Sequence, residues 1–322
     1  MLGGAWTFLA AIATPLFLVV ADETLGENRA PLSTSGTAAF RWLPRLYILL
    51  QLAATGWAAA LVIRPATSVV EAAGLALSAG VTTGVFGFVA AHEMIHSRDQ
   101  SERSLGLALL GSVFYMHFRI AHVHGHHLRA ATRDDPASAR FGEGLYTFLM
   151  RSAAGQFREA WRFEEQRRRR LGRPAFGIGN RMVVYGALEA GFLAAIALVS
   201  LRALAFAIAV AFVAVVLLES FNYIAHYGLS RGMRPDGRRE RLGPMHSWNS
   251  SRRMNNAGLF NMGRHSDHHR RMARSYEQLQ PVTGNAELPC GYAAALLTAT
   301  VPPLWRRMMD DRAKAVMAAP IA

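Results

Sequence analysis

The chain has 322 residues, 52% of them hydrophobic, and its 35 basic and 22 acidic residues give a formal net charge of +13. Its single cysteine, Cys290 between Pro289 and Gly291, is read as an inert turn residue and excludes both an internal disulfide and a fused iron–sulfur domain held by about four thiolates. No segment carries a G-x-G-x-x-G fingerprint after a plausible strand, so direct use of NAD(P)H is not expected.

A helix needs about 20 apolar residues to cross a bilayer core, and five stretches qualify. The first, near 5–21, lacks a basic leader and a convincing small-residue cleavage site, and is read as a retained anchor rather than a secretory signal. The second and third fall near 46–63 and 68–91, with Arg64 and Pro65 in the turn between them. A shorter apolar run, Leu105 to Phe118, separates two histidine groups that must meet, so it should leave the membrane on the side it entered. Residues 128–181 begin with the turn-like TRDDP of Thr132 to Pro136 and continue as an amphipathic helix broken near Gly172 and Pro174. The fourth and fifth spans, near 182–200 and 203–221, turn at Arg202. Nothing reads as a strand, and residues 1–322 are read as a single domain. The expected fold is all-α: a polytopic membrane helix bundle of about five crossings, a short re-entrant segment and a cytoplasmic helical cap.

Arginine supplies every basic residue except Lys314 and crowds two polar segments, roughly 129–181 and 231–312, that flank the spans. This is the pattern of loops facing the cytoplasm and its anionic lipid, not of a nucleic-acid binder. With the histidines on the cytoplasmic side, the turns at Arg64 and Arg202 become external. Arg167 to Arg170 are read as a solvated or headgroup-facing helix end, with docking of an acidic partner as the alternative.

Ten of the twelve histidines lie in four clusters: HEMIH at His92 to His96, HVHGHH at His122 to His127, NYIAHYG around His226 and RHSDHH at His265 to His269. Neutral imidazole is the commonest protein metal ligand, and nine or more are too many for one four-coordinate ion. Two ions are the natural reading, and a histidine-rich pair on membrane helices points to iron and oxygen chemistry on an apolar substrate. His92 and His96 share a helix face, although with Glu93 between them they also spell the zinc-protease signature, and the motif alone leaves both readings open. His122, His126 and His127 stand at i, i+4 and i+5, and His265, His268 and His269 at i, i+3 and i+4; each triplet is read as suiting one metal face. Asn222, Tyr223, Tyr227 and Gly228 surround His226 directly after a span, which makes it a candidate ligand. Glu93, Asn222, Asn249 and Asp267 are candidates to orient the ligands. His124 should point off the shared face, and His117 and His246 are read as supporting or surface residues. The small-residue run Gly74 to Ala91 leaves room for an apolar chain, limited by bulky groups such as Trp57, or alternatively serves helix packing.

These clusters and their neighbours resemble the integral-membrane alkane hydroxylases, which are related to xylene monooxygenase and to membrane fatty-acid desaturases. The resemblance covers roughly residues 40–312 and rests also on DDPASARFGEGLYTFLMRS from Asp134, HSWNS from His246, SYEQLQ from Ser275 and LPCGYAAALLTATVPPLWRRMMD from Leu288. It implies two non-haem irons held by His92, His96, His122, His126, His127, His226, His265, His268 and His269. It further implies terminal hydroxylation of medium or long alkanes with dioxygen and electrons from a separate rubredoxin or ferredoxin and its NAD(P)H reductase, in the bacterial inner membrane with the metal site facing the cytoplasm. The family usually has six membrane helices, one more at the N-terminus than is found here, and glutamates where this chain has Ala121 and Ala225. Those two losses remove carboxylates that would orient imidazoles, with consequences for iron affinity, turnover or substrate class, and HEMIHS places the chain toward the aryl-methyl-oxidising side; the alternatives are an aryl-methyl or terpene hydroxylase and, as the nearest rival with similar clusters, a fatty-acid or lipid desaturase. A zinc protease leaves six histidines unexplained, and a metal transporter would place its ligands at mid-membrane.

Overall fold

The computed structural model describes residues 3–31, 38–234 and 236–318. A 3-10 turn, Gly4–Phe8, leads into α1 (Leu9–Leu25), followed by α2 (Ala38–Val62) and α3 (Val69–Thr82). A π-helical turn, Thr83–Gly87, joins α3 to α4 (Phe88–His96); α5 (Gln100–Ser112) and α6 (Phe118–Ala121) follow, and a second π-helical turn, His122–His126, enters α7 (His127–Arg129). Then come α8 (Leu145–Arg170), α9 (Arg181–Val199), α10 (Leu201–His226), β1 (Trp248–Asn249), α11 (Arg253–Gly258), α12 (His265–Arg270), β2 (Ala286–Glu287), α13 (Tyr292–Ala299) and α14 (Pro302–Ala318).

Among the described residues, five helices are long and apolar enough to cross a membrane: Gly4–Leu25, Ala39–Val62, Val69–His96, Arg181–Val199 and Leu201–His226. They coincide with the five expected spans, but two of them run past their apolar stretch and end on His96 and His226. The helical hydrogen-bond ladder satisfies the backbone there, where an unwound chain at membrane depth would not. The expectation of no strands is corrected: Trp248 pairs with Ala286 and Asn249 with Glu287 in a parallel ladder. Two residues per strand are too few to show the alternation by which strands are recognised.

The chain divides into two compact units, Met1–Phe17 with Thr37–Val123 and Phe157–Leu218, and Leu18–Gly36 with His124–Gln156 and Glu219–Ala322. In the first unit, Ser68 and Glu71 form a reciprocal capping box that starts α3. Gly80 and Gly84 face α10 so closely that an added Cβ would lie 2.6 Å from Val213 Cβ and 2.8 Å from Leu217 Cβ. The small residues there serve helix packing rather than an open channel, and Trp57 stands 56% exposed instead of lining an interior. Widening of the helix at Thr83–Gly87 is matched by polar groups from α2: the Tyr47 hydroxyl donates to the Thr82 carbonyl at 3.0 Å and Gln51 Nε2 to Thr83 Oγ1 at 2.8 Å.

Helix α5 folds back on α4, with Gly106 against Met94 and the Ala91 carbonyl, as the re-entrant reading of this apolar run requires. Asp99 caps its first turn by accepting from the Ser101 and Glu102 amides. At the opposite turns, Arg202 donates to the carbonyls of Arg64 and Thr67, so the two turns expected on one membrane side do meet.

Polar residues of α8 are tied to the start of α9 through the fully buried Glu164. It accepts from Arg167 Nε at 2.9 Å and from the Arg181 amide at 2.7 Å and Nε at 2.8 Å. Burial alone would raise this carboxyl, but the hydrogen bonds from Arg167 and Arg181 outweigh it and hold the group at about 2, against 4.5 ordinarily. Its contribution to stability is therefore present above about pH 4.5 and lost as the pH falls toward 2. The Glu164→Gln variant should have a lower thermal midpoint near neutral pH and converge on the parent curve in acid; parallel curves would remove this role.

The second unit has an aromatic interior. Trp305 is fully buried against Tyr223 and Tyr227, with ring centroids at 5.6 and 5.4 Å. Tyr223 donates to the Glu143 carbonyl and Tyr227 to Asp310, both at 2.7 Å. Trp248 Nε1 donates to the Tyr227 carbonyl, and the Tyr292 hydroxyl to the Trp248 carbonyl. Tyr223, Tyr227, Trp248 and Tyr292 thus each have a partner for the ring's polar atom, whereas Trp305 Nε1 has none among the described residues; the four links fix the end of α10 and β1 as one block.

Candidate metal centre

In the first unit, His92 and His96 lie one turn apart at the end of α4, and His122 opens the π-helical turn after α6. The Nε2 atoms of His92 and His122 are 2.8 Å apart, and the His96 ring lies 4.7 Å from His92 and 5.1 Å from His122. In the second unit, His126, His226, His265 and His269 are all buried, with one ligand atom from each within 4.8 Å of the others. His265 Nε2 lies 3.3 Å from His226 Nε2 and 3.0 Å from His269 Nε2. His268 Nε2 and His127 Nε2 are 3.1 Å apart in the same unit.

The structure therefore regroups the sequence clusters, correcting the reading of each triplet as one metal face. His126 joins His226, His265 and His269, whereas His127 pairs with His268. The cause is helical phase. At about 100° per residue, adjacent side chains such as His126 with His127, or His268 with His269, cannot point at the same spot. A π turn closes i→i+5 bonds and sets the phase of His126, which ends it, and of His127, which follows.

Two hydrogen bonds define the tautomers in the four-histidine group. His126 Nδ1 donates to Asp135 Oδ2 at 2.8 Å, and His226 Nδ1 to the His246 carbonyl at 3.1 Å. Each Nδ1–H so engaged leaves a lone pair on Nε2, aimed at the group. Burial first, and neighbouring imidazoles second, push the His265 and His269 rings well below their ordinary pKa, which keeps them neutral. At 3.0–3.3 Å these Nε2 atoms can share a proton pairwise or, as Nδ1–H tautomers, turn their lone pairs on a cation between them. Nitrogens bound to one ion at about 2.0–2.1 Å would be separated by roughly 3.0–3.4 Å, so the donor set fits a transition metal.

Asp135, in the TRDDP turn, is a further orienting residue that its sequence context does not single out. It is fully buried, accepts Ser138 Oγ at 2.6 Å on Oδ2 and the Ala137 amide at 3.1 Å on Oδ1, and so holds a fixed carboxylate against His126. Burial tends to raise this carboxyl, and the His126 and Ser138 contacts bring it below the ordinary value. Asn249 acts through the helix that bears the ligands: its Oδ1 accepts the Ser266 amide at 2.9 Å, while Nδ2 donates to Ser266 Oγ and the Ala286 carbonyl. Asp267 holds Arg274 at 2.8 Å and the Gln280 amide at 3.0 Å, bracing α12 from its outer side. Asn222 donates to Glu219 at 3.4 Å, and Glu93 is half-buried on α4.

His124 is exposed, as its position off the ligand face implies. His246 is buried, with the Gly243 amide donating to its Nδ1 and Glu240 3.6 Å from its Nε2, while its carbonyl orients His226. His117 is also buried, between the rings of Tyr115 and Phe157, and burial lowers its pKa to about 4. Ala121 and Ala225 are both fully buried.

The helices and the buried histidine groups define an integral membrane protein with sites able to hold metal. The chain belongs to the fatty acid desaturase family, whose family model matches residues 66–297. It is 41% identical over 246 residues to alkane 1-monooxygenase 1 of Pseudomonas aeruginosa, a match covering 76% of this chain and 64% of that protein. It is 38% identical over 271 residues to alkane 1-monooxygenase of Acinetobacter baylyi, covering 84% and 66%, respectively. It is 28% identical over 238 residues to the xylene/toluene monooxygenase hydroxylase component of Pseudomonas putida, covering 73% and 62%. The chain thus spans less than two thirds of the length of these relatives.

Proposed function

We propose that the protein is a dioxygen-dependent alkane 1-monooxygenase that hydroxylates the terminal methyl of medium or long alkanes. The observation that carries this reading is the convergence of His126, His226, His265 and His269 in a buried, carboxylate-oriented group. Similarity to alkane 1-monooxygenases supplies the substrate class. All nine histidines are assigned to two irons: His92, His96, His122, His126, His127, His226, His265, His268 and His269. The site is assigned to the cytoplasmic face of a bacterial inner membrane, because that orientation puts the arginine-rich segments inside.

Bound iron would supply the redox chemistry of dioxygen, with electrons delivered by a separate rubredoxin or ferredoxin and its NAD(P)H reductase. The chain's own part is positional. Asp135 and the His246 carbonyl hold Nδ1 protons so that Nε2 faces inward, Asn249 pins α12, and the buried aromatic block around Tyr227 keeps water from the end of α10. Similarity to the xylene/toluene enzyme favours an aryl-methyl substrate as the second reading.

Anaerobic metal analysis, followed by gas chromatography of octane, hexadecane and p-xylene after incubation with rubredoxin, reductase, NADH and oxygen, tests both. About two irons per chain and a primary alkanol are expected. An aryl alcohol alone selects the second reading, and one zinc with no oxygen-dependent product overturns both.

A further inference from the structure

The end of α8 and the loop that follows it combine charge with exposed apolar side chains. Between residues 157 and 181 eight arginines stand against three glutamates. Glu164 is taken by Arg167 and Arg181, and Glu165 by Arg169. Arg168, Arg170 and Arg173 have no carboxylate partner among the described residues; Arg168 folds its Nε onto the Pro174 carbonyl at 3.0 Å.

Beside these guanidinium groups Leu171, Phe176 and Ile178 are 60%, 70% and 93% exposed. Gly172 and Gly177, at φ of 63° and 131°, allow the loop to fold so that its apolar side chains stay outward. Asn180 then caps α9 by accepting the Met182 amide at 2.8 Å, and α9 is one of the five apolar spans. The loop thus sits where a span begins, at the level at which acyl chains give way to headgroups.

We propose that residues 168–178 form a binding site for an anionic phospholipid. Arg168, Arg170 and Arg173 grip the phosphate, and Leu171, Phe176 and Ile178 insert among the acyl chains. Guanidinium offers paired donors to phosphate oxygens, and the arginine stems cover apolar surface while their heads reach the interface. An acidic soluble protein would match the charge but would leave three large apolar side chains in water. The bilayer accommodates both halves of the patch.

The test compares the full chain, purified in detergent, with the triple variant Arg168→Gln/Arg170→Gln/Arg173→Gln and with Ile178→Ser. Retained phospholipid is measured by mass spectrometry, and the thermal midpoint is recorded with added phosphatidylglycerol or phosphatidylcholine. The parent should retain phosphatidylglycerol selectively and be stabilised by it, with the effect shrinking as salt is raised. Affinity for phosphatidylglycerol should fall about fivefold for each arginine removed, equivalent to ~1 kcal/mol each. Ile178→Ser should weaken both lipids alike. If the triple variant is too unstable to purify, Arg173→Gln alone should show the fivefold loss. Unchanged phosphatidylglycerol selectivity in these variants overturns the assignment, as does loss of binding to an acidic redox protein with lipid retention intact.

Discussion

The His226→Ala variant is expected to lose bound metal and oxygen-dependent activity together. His226 is fully buried, its Nε2 lies 3.3 Å from that of His265, and its Nδ1 is held by the His246 carbonyl. Removing the ring takes one of four converging donors from the second-unit group and leaves three, with an opening where the fourth stood. Metal per chain should fall by about half, and product formation by a factor on the order of a hundred or more, as for groups that act as a unit. The end of α10 should stay in place, because Tyr223 and Tyr227 remain tied to the Glu143 carbonyl and Asp310. The exposed His124, replaced by alanine, should change neither quantity. Full metal content and activity in the His226 variant, measured by plasma mass spectrometry and product chromatography, would take this residue out of the ligand set.

Asp135→Ala should weaken metal binding by about 10–100-fold, the usual cost of losing a group that orients a ligand histidine. Without the carboxylate, nothing favours the His126 tautomer that presents Nε2 inward, and Ser138 Oγ and the Ala137 amide lose the acceptor they share. Asp135→Asn should restore little. An amide has one acceptor and one donor where the native carboxylate accepts on both oxygens, so at least one of the three donors is left facing an N–H. Competition against a chelator, read by metal retained per chain, separates this loss from a failure to fold. Equal retention in the parent and both variants would show that Asp135 has no orienting role.

The spans are legible because hydropathy over about twenty residues is a strong signal, and Leu105 to Phe118, too short to cross, reads as re-entrant. The histidines were legible as candidates for a different reason, since their spacing is that of helix faces. Their grouping in space was not. Sequence distance placed His126 with His127 and His268 with His269, whereas helical phase separates each pair. Asp135 escaped because carboxylates next to a turn usually serve the turn, and only the structure shows its oxygen against His126. The Trp248–Asn249 and Ala286–Glu287 strands escaped because their pairing partner lies 38 residues along the chain and no alternation marks them. Gly80 and Gly84 show the reverse: two uses of small residues were open in the sequence, and the 2.6 and 2.8 Å approaches of Val213 and Leu217 decide for packing.

The widened turn at His122–His126 makes this segment intolerant of changes in length. A π turn is an α-helix that has already absorbed one surplus residue, so one further residue inserted there has no regular turn left to take it up. Every downstream side chain would then rotate by about 100°, sending His126 and His127 away from their partners with no ligand altered in identity. Within the family, the gap pattern across this stretch should therefore report on a working site as directly as the histidines themselves do. A relative with all its ligands but one residue more between them would be a protein that has kept the letters and lost the frame.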